Sequence, residues 1–164
     1  MTLLTGTAEQ YTGRTVDLLL LDGATATKEA ELTPALVQPG QSGALIAGIS
    51  KLVQRFLLEL LTEIGSLHYD PTRGTTFISQ IRAGAVQTSQ DLFMAFSAAE
   101  LSLRDSLRLE ENAETDPADE RYQSSELLSA TLSGDLATVS LRLTSLAGTE
   151  RTVLYPLRIS TTQG

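Results

Sequence analysis

Few residues of this chain are of types suited to chemistry. Glu59 and Glu63 stand four positions apart in an apolar, helix-forming run, a spacing that places two carboxylates near one another on a helix surface. Paired carboxylates carry out glycoside hydrolysis, one giving a proton and the other acting as base or nucleophile. The acid of such a pair needs a raised pKa, and the plainer reading is a solvated or interfacial helix face. His68 is the single histidine, and Asp70 is too few residues away to form a preorganised pair with it. A metal site built on one histidine needs carboxylates from remote positions, so His68 is expected to be a packed or capping side chain. No GxSxG elbow, P-loop or GxGxxG fingerprint occurs, and Gly40-Gln41-Ser42-Gly43 alone carries no phosphate-binding specificity. The chain has no cysteine, which removes disulfides, thiolate ligands and thiol catalysis. No catalytic, cofactor or metal centre is expected.

The charged residues read instead as fasteners. Arg55, Arg73 and Arg82 carry planar donor arrays suited to fixed carboxylate contacts. Arg73, in the Asp70-Pro71-Thr72-Arg73-Gly74 turn, is expected either to tie a helix pair to the acidic segment through Asp119 or Glu120, or to be an ordinary exposed turn residue. Arg121 would point back into the same network, which can fix an orientation even where its net energy is small. The run Glu110, Glu111, Glu114, Asp116, Asp119, Glu120 reads as a solvated linker, or as a surface complementary to a basic partner. A formal charge of −8, from 20 acidic and 12 basic residues, with no Lys/Arg cluster, argues against direct nucleic-acid binding. No run of apolar residues is long enough to span a membrane. The first residues lack the basic region and apolar run of a secretory signal.

These side chains must be held by elements that the pattern foretells. A length of 164 residues suggests a single domain with a real core, divided here into an N-terminal strand and extended arm over 1–47 and a core over 48–164. Arg14 to Leu21 reads as a short strand, with Val16, Leu18 and Leu20 on one face and Leu19 and Leu21 on the other. Residues 22–48 read as a long, Gly- and Pro-punctuated arm with room for a short element at 33–37, an arm that orders on another subunit. Ser50 to Ile64 reads as a helix, with Ser50 as N-cap and Gly65 at C′. Its apolar face is Leu57, Leu60, Leu61 and Ile64 with Val53 and Phe56 beside it, broadened by Leu52 and Leu58. An exposed apolar strip is expected on this helix. A link over 66–70, the tight turn to Gly74 and a short helix capped by Thr75 or Thr76 follow. A second main helix runs from about Gln87 to Glu111, with Phe93, Phe96, Glu100, Leu103 and Leu107 along one stripe. The period then changes to two. Strands are read at 127–133, 137–145 and 151–160, an antiparallel meander with one covered face, and Pro156 either places the last at an edge or forces an irregularity in it. The expected fold is α+β: two main helices with a short one between, packed on a small antiparallel C-terminal sheet, plus the extended N-terminal arm.

Two segments, GISKLVQRFLLELLTEIGSLHYDPTRGTTFISQI over 48–81 and DERYQSSELLSATLSGDLATVSLRLTSLAGTERTVLYPLRI over 119–159, resemble the contractile-tail phage baseplate wedge proteins that carry a lysozyme-like name. The family's Glu-Pro-Arg motif has Asp119-Glu120-Arg121 in its place, with Arg121 matching and Glu120 standing where the family has proline. The resemblance implies a structural, non-enzymatic virion component, assembled in the host cytoplasm into the tail baseplate. Its implied partners are other wedge subunits and the tail sheath protein, which it would help to initiate, with the central hub or tube proteins as a further option. Its C-terminal strands would offer or accept a neighbouring strand. Leu52, Phe56, Leu60, Pro71, Arg73, Gly74, Asp119, Glu120, Arg121, Val153 and Tyr155 are the positions expected to serve as interface or structural anchors. The competing functions are a muramidase-like hydrolase using the helix carboxylates and a small adaptor domain outside phages.

Overall fold

The computed structural model describes residues 14–22, 33–34, 45–134 and 136–158, with the backbone alone at Leu21, Asp22, Thr33, Pro34 and Arg158. Residues 1–13, most of the arm read over 22–48, Asp135 in the strand turn, and Ile159 and Ser160 lie outside them.

Four two-residue strands open the chain: β1 (Asp17–Leu18), β2 (Leu21–Asp22), β3 (Thr33–Pro34) and β4 (Leu45–Ile46). They pair antiparallel as β1 with β4 and β2 with β3. Three helices follow, α1 (Ile49–Leu61), α2 (Phe77–Arg82) and α3 (Ser89–Glu110), then a meander of β5 (Tyr122–Ser133), β6 (Leu136–Ser145) and β7 (Glu150–Arg158) in that spatial order. The α+β arrangement agrees with the pattern reading. β7 is an outer strand, and its Pro156 stands opposite Thr138, as a residue without an N–H requires.

α1 is the centre of the molecule. Leu52, Val53, Phe56, Leu57 and Leu60 have no exposed surface, and burying each such side chain stabilises by roughly 1.5–3 kcal/mol. The strip expected over 50–64 is not continuous: of its large apolar residues only Leu58, and Ile64 beyond the end of the helix, are exposed. The reason is geometric, because α1 packs on β6 and β7, on α2 and on α3, while the segment from Arg14 to Leu20 lies along a further side. Ser50 is buried inside the helix and does not cap it; Gly48 holds the N-cap position. The helix also ends earlier than expected, at Thr62, so Gly65 lies three residues past the cap.

α3 is opened by a capping box, in which the Thr88 hydroxyl accepts from Asp91 N–H and the Asp91 carboxylate accepts from Thr88 N–H. Its inward stripe is Leu92, Ala95, Phe96, Ala99, Leu103 and Leu107. Phe93, expected on that stripe, is 44% exposed, because the buried arc is centred on Phe96 and Ala99 and Phe93 falls at its margin. Phe56 joins the layers, stacking on Tyr122 at 6.1 Å and tilting against Phe96 at 6.5 Å. From the sheet, Val139, Leu141, Leu143 and Val153 point into the same core.

Candidate functional site

Two buried carboxylates organise the polar interior. Glu59, on α1, is only 2% exposed. Its Oε2 accepts from Arg73 Nε at 2.7 Å, and its Oε1 accepts from the Gly74 N–H at 3.0 Å and from the Ser106 hydroxyl on α3 at 3.0 Å. Arg73 also approaches Glu110 at 3.4 Å, and Arg55 reaches the same carboxylate at 3.7 Å. The bond to Glu59 is the main cause that raises the Arg73 pKa above its ordinary value. Arg73 therefore ties the turn to α1 and to the end of α3, and not to Asp119 or Glu120. A turn of five residues sits where its own helix delivers it, and α1 delivers it beside α3.

The turn is closed by backbone. Thr75 N–H donates to Thr62 C=O at 2.8 Å and Ile64 N–H donates to Thr75 C=O at 3.0 Å, while the Thr75 hydroxyl donates to Leu60 C=O. Gly74 adopts φ +97°, and a Cβ there would lie 2.4 Å from Thr62 O. Only glycine fits, because both the backbone angle and the contact exclude a side chain. Pro71 is exposed at the apex of this turn. Glu63 lies beyond the end of α1, in an isolated bridge with Thr75, and pairs with Arg82 at 2.8 Å. The two acids expected on one helix face are thus held by different arginines on different elements.

Glu120, 1% exposed, is the second buried carboxylate. It accepts from Gly48 N–H at 3.0 Å, from Lys51 Nζ at 3.0 Å and from the Thr15 hydroxyl, to which Lys51 also donates. A carboxylate at the first turn of α1 meets unpaired N–H groups and the positive end of the helix dipole. Beside it Asp119 pairs with Arg14 at 2.5 Å, close enough that a Cβ on Gly48 would meet Asp119 Oδ2 at 2.8 Å. Asp119 and Glu120 therefore clasp the N-terminal segment onto α1. Arg121 stands apart from Arg73: its Nε is buried without a hydrogen-bond partner, and its carbonyl accepts from Leu146 N–H at 2.9 Å. Gln54, wholly buried on α1, extends the clasp. Its amide donates to Leu18 C=O at 2.8 Å and accepts from Leu20 N–H at 2.6 Å, standing in for a neighbouring strand.

No protein-family model and no curated protein matches the chain. A solved structure described as that of a candidate tail lysozyme from Geobacter sulfurreducens is similar over 68% of this chain and 90% of its own, at 18% identity and a TM-score of 0.43. A likeness of that depth carries neither fold nor chemistry over to this chain.

The remaining expected positions fall inside the protein: Leu52, Phe56, Leu60 and Val153 are core, and Tyr155 is half-buried, its phenol pushed up by burial. His68 and Tyr69 are exposed. Among the described residues no group of three or more His, Asp or Glu side chains is placed to hold a metal ion, and no helix is long and apolar enough to cross a membrane.

Sequence reasoning did not foresee one feature, an open groove of about 610 Å3 between α3 and β5. Phe93, Phe96, Glu100 and Leu101 line it from the helix, and Ser125 and Leu127 from the strand. Glu100 Oε1 accepts from the Tyr122 hydroxyl at 2.6 Å and from the Ser125 hydroxyl at 3.2 Å. Burial first, and then the bond to Glu100, push the Tyr122 phenol above its ordinary value. The signal was Glu100 itself, a carboxylate set in an otherwise apolar helical stripe.

Proposed function

We propose that this chain is a structural subunit of the baseplate wedge of a contractile phage tail, where it joins neighbouring wedge subunits and anchors or initiates the sheath. The observation that carries the reading is the three-stranded sheet, whose long outer strands β5 and β7 each pair on one side only among the described residues. Unpaired strand backbone takes a strand from a neighbour by β-augmentation. The sequence resemblance supports the same reading, since its two segments, 48–81 and 119–159, supply both buried clasps and the whole sheet. The partners in this reading are other wedge subunits, the sheath protein and the hub or tube proteins, with assembly in the host cytoplasm. No direct contact with membrane or nucleic acid is part of it.

The role is non-enzymatic. Glu59 is saturated by Arg73, Gly74 and Ser106 and Glu63 is engaged by Arg82, which supports a fastening duty over a glycosidase pair. A density map of the intact particle tests the assembly reading: the chain should lie in the baseplate with β5 or β7 continued by a strand of another subunit. Its absence from purified contractile particles, or both edges facing solvent in the map, would refute it. A cell-wall turbidity assay tests the hydrolase. Wild type and Glu63→Gln should both be inert, and lysis lost on that substitution would establish the enzyme instead.

A further inference from the structure

We infer that the groove between α3 and β5 is a docking site for a basic amphipathic polypeptide segment, one that places an apolar side chain on the groove floor and an Arg or Lys against Glu100. The groove shares β5 with one of the sheet edges invoked above, but its occupant is selected by the Glu100 charge and not by strand pairing, so the peptide test below and the strand-continuation test can fail independently.

The helix side of the groove is built by Phe93, Phe96, Ser97, Glu100 and Leu101, the i, i+3, i+4, i+7, i+8 series of one helical face. Phe93 is 44% exposed and Leu101 55%, so the face continues outward where intramolecular packing ends. Leu127 closes the far side from β5. An isolated exposed leucine is ordinary, but large apolar residues converging in one concavity mark a binding surface.

Charge selects the occupant. Glu100 is half-buried and oriented by two hydroxyl donors, both on Oε1, yet it forms no ion pair with any Lys or Arg among the described residues. By contrast, the buried carboxylates Glu59 and Glu120 each have a cation. The second carboxylate of the groove, Glu126, pairs with Arg142 only at 3.4 Å and is largely exposed. No basic residue lines the groove, and the whole chain carries −8. A pre-oriented, partly desolvated carboxylate beside apolar surface is complementary to a guanidinium or ammonium one helical turn from a Phe or Leu. A purely apolar occupant would bury the Glu100 charge without compensation.

The test is fluorescence anisotropy with the full chain and labelled peptides in a helix-forming Ala/Gln background, carrying one Phe and one Arg three or four positions apart. Saturable binding is expected. Replacing the peptide's Arg by Gln, or Glu100 by Gln in the protein, should weaken it by roughly tenfold or more. Glu100→Gln keeps the oxygen that Tyr122 and Ser125 bond, so the fold is retained and only the charge is lost. Leu101→Lys, at an exposed position, should abolish binding by placing a cation of the chain's own in the groove, and added salt should weaken binding in the wild type. No saturable binding, equal binding of Arg and Gln peptides, or indifference to Glu100→Gln would overturn the inference. So would a self-associated chain that buries Phe93 and Leu101 against a second copy.

Discussion

Gly74 and Gly65 offer a controlled comparison within one connection. Both have positive φ, +97° and +82°. A Cβ on Gly65 meets nothing within 4 Å, whereas one on Gly74 would lie 2.4 Å from Thr62 O and 2.9 Å from its carbon. Gly65→Ala should therefore show the backbone term alone, about 1–2 kcal/mol for an L-residue in the left-handed region, partly offset by about 0.4–1 kcal/mol from a stiffer unfolded chain. Gly74→Ala bears the same term and a clash with rigid backbone. Relief requires Thr62 O to withdraw from its 2.8 Å bond with Thr75 N–H. Thr75 is 1% exposed, and stranding a buried donor costs about 1–3 kcal/mol. The same shift pulls Gly74 N–H from Glu59, a bond to a charged acceptor worth about 1.5–3 kcal/mol. Gly74→Ala should then destabilise by roughly 3–6 kcal/mol, and exceed Gly65→Ala by at least about 2–3 kcal/mol. Urea unfolding followed by circular dichroism measures both. At this chain length the excess corresponds to a melting temperature lower by roughly 5–10 °C. Equal losses for the two alanine variants would refute the claim that the turn is locked against α1.

Two further outcomes are expected. Gln54→Ala should speed amide exchange at Leu20 by about tenfold, the equivalent of one hydrogen bond, while the interior of α3 keeps its protection; unchanged exchange at Leu20 would show that Gln54 does not hold the segment. Glu111 is pushed up mainly by burial, against the lowering effect of its bond from Tyr122 N–H. A raised folded pKa means that stability falls as pH rises from the ordinary glutamate value of about 4.3 through the folded value. Glu111→Gln, which keeps an acceptor for Tyr122, should therefore raise the urea midpoint at pH 7 and lose that advantage in acid. A lower midpoint at pH 7 would contradict this.

How far the sequence revealed the molecule depended on which force set each feature. The helices and the meander were legible because apolar burial dictates period: Leu52, Phe56 and Leu60 in one case, Val139, Leu141 and Leu143 in the other. β5 was read to begin at Leu127 but begins at Tyr122. Its first residues, Gln123, Ser124 and Glu126, are polar and exposed, and carry no alternation to detect. The partner of Arg73 was misassigned because chain order says nothing of which acid is delivered to a turn. Glu59 itself carried an unused signal: a charge amid the buried Phe56, Leu57 and Leu60 must be paired. The groove was illegible as a whole, since it arises from the crossing of α3 and β5, although Glu100 marked its position.

The polar groups buried around α1 have a shared logic. The segments that Glu59, Gln54 and Glu120 bind are turns or short extended pieces, in which the backbone groups of Gly74, Leu18, Leu20 and Gly48 are met by side chains. Each such group would otherwise lose its water without replacement, at about 1–3 kcal/mol. Side chains on α1 and in the turn just before β5 supply the acceptors and donors. The net stabilisation from the ionic members is small, but a misplaced turn leaves a carboxylate buried and unpaired, so the alternatives are penalised more than the native arrangement is favoured. This arrangement also leaves α1 with Leu58 as its one exposed large apolar residue. More apolar surface is open to a neighbour elsewhere, where Val16, Leu18, Leu20 and Leu45 are exposed on the clasped segment and its β4 partner, and Phe93 and Leu101 are exposed on α3.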